Sequence, residues 1–366
     1  MFLKKFCIGS FVIVLAALFS ACANDLLDLS QFPINKQPGK IGDTVYIPVS
    51  PVLTGYNRPA DILVGYEPMI YIADKGNNRV VQLDISGAVV GSSNFILKPK
   101  KVAQDRNYDL LVIGSIIDTI PPATLDTVDA IFRLKLRDNN GLISGVTPRL
   151  VFKANQPTPI PGNHGKLTGI STFFDNYYLI LRAGPNNSNF IDPDNAIFKV
   201  DKFDNTVPVP DRLPGFQVEG QGLLSLLSTS SACTFTFNAT DFIYTQTASN
   251  VAFKIQWCTW DEIDGTYIPK FTPETGVDLL RPGLVEAPQD VTIDQFNNIF
   301  VVDSQKDSVY KFNSLGKLLN ESFGGPGAGV SQFSSPMGVA FFDKTLYVCD
   351  TDNDRVLRFI LSTDIH

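Results

Sequence analysis

The apolar runs of this chain do not alternate with polar residues. "IYIA" (70–73), "IFVV" (299–302) and "LYVC" (346–349) are uninterrupted, and each is followed by an aspartate. A strand with one face in water would make every second side chain polar, so these runs predict strands covered on both faces. Shorter runs of the same character stand at "LLVI" (110–113), "YYLIL" (177–181) and "FIY" (242–244). In the clearest copies a first apolar strand opens on proline, and a third strand follows a polar turn. The third strand keeps one polar position in register, at Gln82, Lys311 and Arg358, which predicts a strand near a rim.

Six such units begin near Pro59, Pro99, Gly165, Gly220, Pro288 and Pro336. Four-stranded antiparallel sheets stacked around a ring cover both faces of their inner strands, so the predicted fold class is all-β, a six-bladed β-propeller. The last unit stops after its third strand. Near the start, "TVYIPVSP" (44–51) alternates apolar and polar positions, and Pro48 and Pro51 suit a sheet edge because proline cannot donate to a ladder. That segment is expected to supply the missing strand and close the ring.

Two copies carry a more specific pattern. Asp74, Asn77, Arg79 and Val80 in "DKGNNRV" match Asp350, Asn353, Arg355 and Val356 in "DTDNDRV". The pattern resembles the NHL repeat, and the "FGGPGAGVSQFSSPMGVA" run (323–340) resembles that family's linker between blades. The fifth unit keeps Asp303 but has Ser308 in place of the arginine, and the second to fourth lack the motif. Each Asp is expected to accept hydrogen bonds from the turn it begins, with the Arg pairing nearby. A cation site is the competing role, since hard cations take carboxylate ligands. Recurrence in several units favours structure, so no metal or other cofactor is expected, calcium being the one ion the acids would suit.

The first 22 residues change the picture of location. Lys4 and Lys5 precede an apolar run from Phe6 to Phe19, too short to span a membrane comfortably, and small residues follow. The end, "LFSAC", resembles a bacterial lipobox, with Phe19 where Leu is usual. That resemblance implies cleavage before Cys22, acylation of Cys22 and a membrane partner, and Ala23 implies delivery to the outer membrane of the cell envelope. The expected organisation is a signal peptide at 1–21, the lipidated cysteine and tether at 22–40, and one propeller domain at 41–366. A net charge of −7 with no basic run argues against a nucleic-acid partner. Export permits a disulfide, but Cys233 and Cys258 fall on first and third strands of one unit, about 10 Å apart at the usual strand spacing, so free thiols are expected.

Only two histidines occur, His164 and His366. The peptide-amidating lyase, a six-bladed relative of this pattern, relies on histidine zinc ligands that have no counterpart here. Six-bladed lactonases use acidic and Asn ligands; Asp118, Asp192, Glu219 and Asp303 would have to converge on the central channel for that alternative to hold. No P-loop, Rossmann fingerprint, nucleophile elbow or H-E-x-x-H is present.

The better clue is parity. In an up-and-down blade the two-to-three and blade-to-blade connections share one end of the ring. The long segments 115–129, 154–165, 182–195, 207–222 and 271–288 all fall there, whereas "RDNNG" (137–141) and "DEIDG" (261–265) read as short turns at the other. Loops on a rigid scaffold carry function, and drift has no reason to prefer one end. The chain therefore reads as a membrane-anchored extracytoplasmic binding or scaffold protein. Its expected partner is a protein, peptide or glycan, met through Asp118, His164, Arg182, Asp192, Arg212 and Arg281.

Overall fold

A computed structural model describes residues 44–120, 124–154, 165–189, 192–206 and 211–365. Strand β1 (Tyr46–Leu53) comes first in the chain and last in the ring. Blade one holds β2 (Pro59–Val64), β3 (Ile70–Asp74), β4 (Arg79–Leu83) and β5 (Val89–Ser92). Blade two holds β6 (Leu97–Gln104), β7 (Leu110–Ile120), β8 (Thr124–Leu134) and β9 (Arg149–Lys153). Blade three holds β10 (Lys166–Thr172), β11 (Tyr178–Ala183), β12 (Ala196–Val200) and β13 (Asp211–Arg212). Blade four holds β14 (Thr229–Thr234), β15 (Phe242–Gln246), β16 (Ile255–Asp261) and β17 (Thr266–Pro269). Blade five holds β18 (Pro288–Ile293), β19 (Ile299–Asp303), β20 (Ser308–Phe312) and the short β21 (Phe323–Gly324). Blade six holds β22 (Pro336–Phe342), β23 (Thr345–Asp350) and β24 (Arg355–Leu361), with β1 as its outer strand. The protein is a six-bladed β-propeller.

The uninterrupted apolar runs have a direct cause in the packing. Among the described residues six hydrophobic clusters form, one in each gap between neighbouring blades. Strand β3 feeds both of its gaps: Ile70 and Ile72 face blade six, and Tyr71 and Ala73 face blade two. Burying an aliphatic side chain is worth about 1.5–3 kcal/mol, so both faces of a second strand stabilise the ring. Strand β1 runs antiparallel to β24, from Tyr46 opposite Leu361 to Leu53 opposite Val356. Its prolines sit on the outermost strand, where no further ladder needs their donors.

Gln82, Lys311 and Arg358 lie on third strands of four, on the rim side of their blades as expected, and are buried. Gln82 bonds the carbonyl of Gly141 and the amide of Ile143, and Arg358 donates to the carbonyls of Ser86 and Pro51. They tie each third strand to what covers it. Blade four begins at Thr229, not Gly220, and the segment 207–222 is not one blade-to-blade connection, since Asp211–Arg212 within it forms the fourth strand of blade three. The "RDNNG" segment belongs to a fourteen-residue connection between β8 and β9, which packs Leu136, Ile143 and Val146 into the gap between blades one and two.

Candidate functional site

Each inner strand breaks register just after it begins: between Pro59 and Asp61, Leu97 and Lys101, Leu167 and Gly169, Thr229 and Ser231, Pro288 and Asp290, and Pro336 and Gly338. Such bulges re-aim the side chain that follows. The result is one tier at the heart of the ring: Asp61, Lys101, Gly169, Ser231, Asp290 and Gly338. The two glycines are there for close approach. A Cβ at Gly338 would stand 2.7 Å from the Asp61 Cα, and one at Gly169 would stand 3.1 Å from the Ser231 Cα.

Lys101 closes this tier. Its Nζ lies 2.8 Å from the Asp290 carboxylate and 3.6 Å from that of Asp61, and it donates to the Gln289 carbonyl. Asp61 accepts the Val102 amide, Asp290 accepts the Val339 amide, and the Ser231 hydroxyl donates to Asp290. All three charged groups are buried. Burial pushes the Asp61 carboxyl well above its usual range, against the pull of Lys101, and the nearby Asp290 carboxylate adds to the rise. For Lys101 burial works downward, but Asp290 and Asp61 outweigh it and raise its pKa.

A cavity of about 170 Å³ continues from this tier along the inner strands, lined by all six blades and by Gln104, Thr172 and Thr234 toward the short-turn end. A pocket for a drug-sized ligand runs to about 300–1,000 Å³, so this channel holds water or a very small molecule.

The repeated acids do a second job, at the loop-rich end. Asp74 accepts the Asn57 amide, the Asn77 amide group and Arg79 Nε at 2.8–3.1 Å. Asp350 likewise binds the Ser334 amide, Asn353 and Arg355, while the Arg355 guanidinium reaches the carbonyls of Ala328, Gly329 and Gln332. Each unit thus clamps the linker arriving from the blade before it. Blade five has no arginine at Ser308, and Lys306 does that work, donating to the carbonyls of Gly283 and Leu284. Asp303 there accepts four backbone amides, from Glu286, Ala287, Gln305 and Lys306. In blade four the corresponding acceptor is Gln246, which takes the Leu227 amide.

Four of the residues singled out for binding, Asp118, Arg182, Asp192 and Arg281, fall into separate ion pairs. Arg182 is buried: it meets Asp192, donates to the carbonyls of Pro193 (2.7 Å) and Asp194 (3.2 Å), and lies over the Phe198 ring. It ties β11 to residues 192–194. Asp118 is bridged by Lys153 at 2.7 Å, which lowers its pKa, and Arg281 pairs with Asp278 at 3.0 Å. Arg212 and Glu219 are exposed, and His164 lies outside the described residues. Asp118, Asp192, Glu219 and Asp303 therefore supply no shared set of free ligands: three are engaged as described. The carboxylates that do face each other across the axis, Asp61 and Asp290, have an ammonium between them. Among the described residues no cluster of three His, Cys, Asp or Glu side chains could hold a metal ion. Cys233, Cys258 and Cys349 are free thiols.

The tier and its lysine were not anticipated from sequence, although a signal exists. Pro-x-Asp recurs at 59–61 and 288–290, and Pro-x-Gly stands at 336–338. The segment 115–129 is also more than a loop: β7 and β8 pair from Ser115 opposite Asp129 out to Ile120 opposite Thr124, so the hairpin extends beyond the blade. Ile117 and Leu125 share one face of it and are 67% and 70% exposed.

No protein-family model matches the chain, and no curated protein matches its sequence. Solved structures do match its shape. A gluconolactonase from Xanthomonas campestris is 12% identical with a TM-score of 0.54, covering 87% of this chain and 90% of its own. A calcium-binding protein, regucalcin, from Agrobacterium tumefaciens is 13% identical with a TM-score of 0.55, covering 87% and 96%. An auxiliary nutrient-binding protein from Bacteroides thetaiotaomicron is 11% identical with a TM-score of 0.54, covering 84% and 70%. At these identities the likeness concerns the fold.

Proposed function

We propose that this protein is a binding propeller, held outside the cytoplasm by a lipid on Cys22, that recognises a protein, peptide or glycan at the loop-bearing end of blades two to four. The observation that carries this reading is the blade-two hairpin. It is a two-stranded projection with Ile117 and Leu125 exposed on one face and the Lys153–Asp118 bridge on the other. Large exposed apolar residues are what an interface uses as anchors. The nutrient-binding neighbour supports a binding role. The gluconolactonase and regucalcin neighbours favour a metal-dependent lactonase instead; what weighs for binding is that Lys101 stands between the axial carboxylates, Asp61 and Asp290.

The test pairs two measurements. Crosslinking in intact cells should give a discrete partner band for the wild type that is lost in an Ile117→Asp, Leu125→Asp variant of normal thermal stability. An unchanged band would move the site elsewhere. Stoichiometric calcium or zinc in the purified protein, together with turnover of a lactone panel, would replace the binding reading by the enzymatic one.

A further inference from the structure

The opposite end of the ring, where turns are short, is built to a pattern of its own. Asp201 accepts the amides of Phe203 and Asn205; Asp294 accepts those of Phe296 and Asn298; Asn313 accepts those of Leu315 and Lys317, all at 2.8–3.0 Å. Asp261 holds the Ile263 amide in the same way. In each case the short polar side chain stiffens the turn, and the residue two places on is a large hydrophobe pointing into solvent. Turn tips are ordinarily polar or glycine. Blades three, four and five each show one tip from the inner turn and one from the outer: Phe174 and Phe203, Phe237 and Ile263, Phe296 and Leu315, between 56% and 93% exposed.

From this face we propose that the short-turn end rests on a lipid bilayer of zwitterionic headgroups, with these six side chains entering its interface. Two observations choose the bilayer over a protein. First, the chain joins the ring at this same end: the Val45 amide donates to Ser362 Oγ and the Val45 carbonyl accepts the Ser362 amide, beside the end of β24. The chain outside the described residues thus enters the ring at this face. Second, the apolar tips are interrupted by exposed charges of both signs, Lys202 beside Phe203 and Glu262 and Asp264 beside Ile263. The core of a protein interface is continuous and depleted of charge. A bilayer surface accepts tips one at a time, and zwitterionic headgroups offer a partner to charges of both signs between them, with no need for net anionic lipid. Affinity then follows the apolar area inserted.

The orientation rests on the lipid anchor proposed above; insertion of the tips does not require it. The full-length protein is reconstituted with vesicles of brominated phosphatidylcholine, which quenches tryptophan on contact. Emission of an Ile263→Trp variant, beyond that of Trp257 and Trp260 in the parent, should be quenched, and that of Ile117→Trp at the far end should not. Quenching of Ile117→Trp instead, or of neither while the protein floats with the vesicles, overturns the proposal. In a Cys22→Ala background, replacing Phe203, Ile263 and Phe296 by Asp should weaken flotation at least about tenfold relative to Cys22→Ala alone. Equal flotation overturns it, as does stronger flotation on phosphatidylglycerol. Absence of an acyl mass on Cys22 would end the anchor reading and leave the quenching result to judge the tips.

Discussion

The two ends of this ring use acidic residues in opposite ways. At the loop-rich end, Asp74, Asp303 and Asp350 are completely buried, and their acceptors take linker amides and the side chains around them. There the carboxylate ties one blade to the next. At the short-turn end, Asp201, Asp261 and Asp294 bind only the turn they begin, and the side chains they position face outward. The same local chemistry, a short carboxylate accepting nearby amides, gives cohesion when a linker passes over it and display when nothing does. What differs is the neighbouring chain, not the residue.

Removing what both ends share should have the largest effect. Strand β1 runs the height of blade six from one end to the other, and deletion of residues 41–52 should leave no cooperative thermal transition; a normal transition would show that closure is made elsewhere. Next comes Lys101→Met. It leaves Asp61 and Asp290 buried without their cation, and unpairing a buried charge costs about 3–5 kcal/mol, readable as a lower urea midpoint. A wild-type midpoint would mean that the tier is stabilised by its other hydrogen bonds.

The comparison itself is sharpened by a pair. Asp350→Ala should cost about 1–3 kcal/mol, because it strands the Ser334 amide and Arg355. Ile263→Ser at the other end should change stability by less than about 0.5 kcal/mol. Equal losses would erase the distinction between a tying end and a displaying end.

The smallest effect is one of pH. Burial, with Cys349 nearby, pushes the Tyr56 hydroxyl up to about 12, and burial, with Asp290 nearby, pushes the Cys233 thiol up to about 12. The unfolded chain loses these protons near their ordinary values of about 10 and 8.5, while the folded chain keeps them. Folded protein thus binds more protons across that window, and stability should fall as pH rises from about 9 through 12. A flat midpoint over that range would contradict the burial of both groups.

Much of the fold was legible because its main determinant is local. A run such as "IYIA" can be shielded on both sides only by neighbours on both sides, and proline at 48 and 51 can sit only where no ladder continues. The clamp of Asp74 and Arg79 was legible too, being spelled within six residues. The role of Lys306 was not, since it depends on linker carbonyls that come close only in the folded ring. The surroundings of Arg182 were not legible for a related reason: only the folded chain shows carbonyls of residues 193 and 194 turned toward it.

By itself the sequence determined that the chain is a ring of doubly covered sheets, how many there are, and which residues hold the turns that begin at Asp74 and Asp350, because hydrophobic pattern and turn chemistry act over a few residues. Tertiary structure alone decided which side chains meet across the axis and which end displays its apolar tips. Asp61, Lys101 and Asp290 are contributed by blades one, two and five, and nothing in their local sequence sets one against another until the ring has closed.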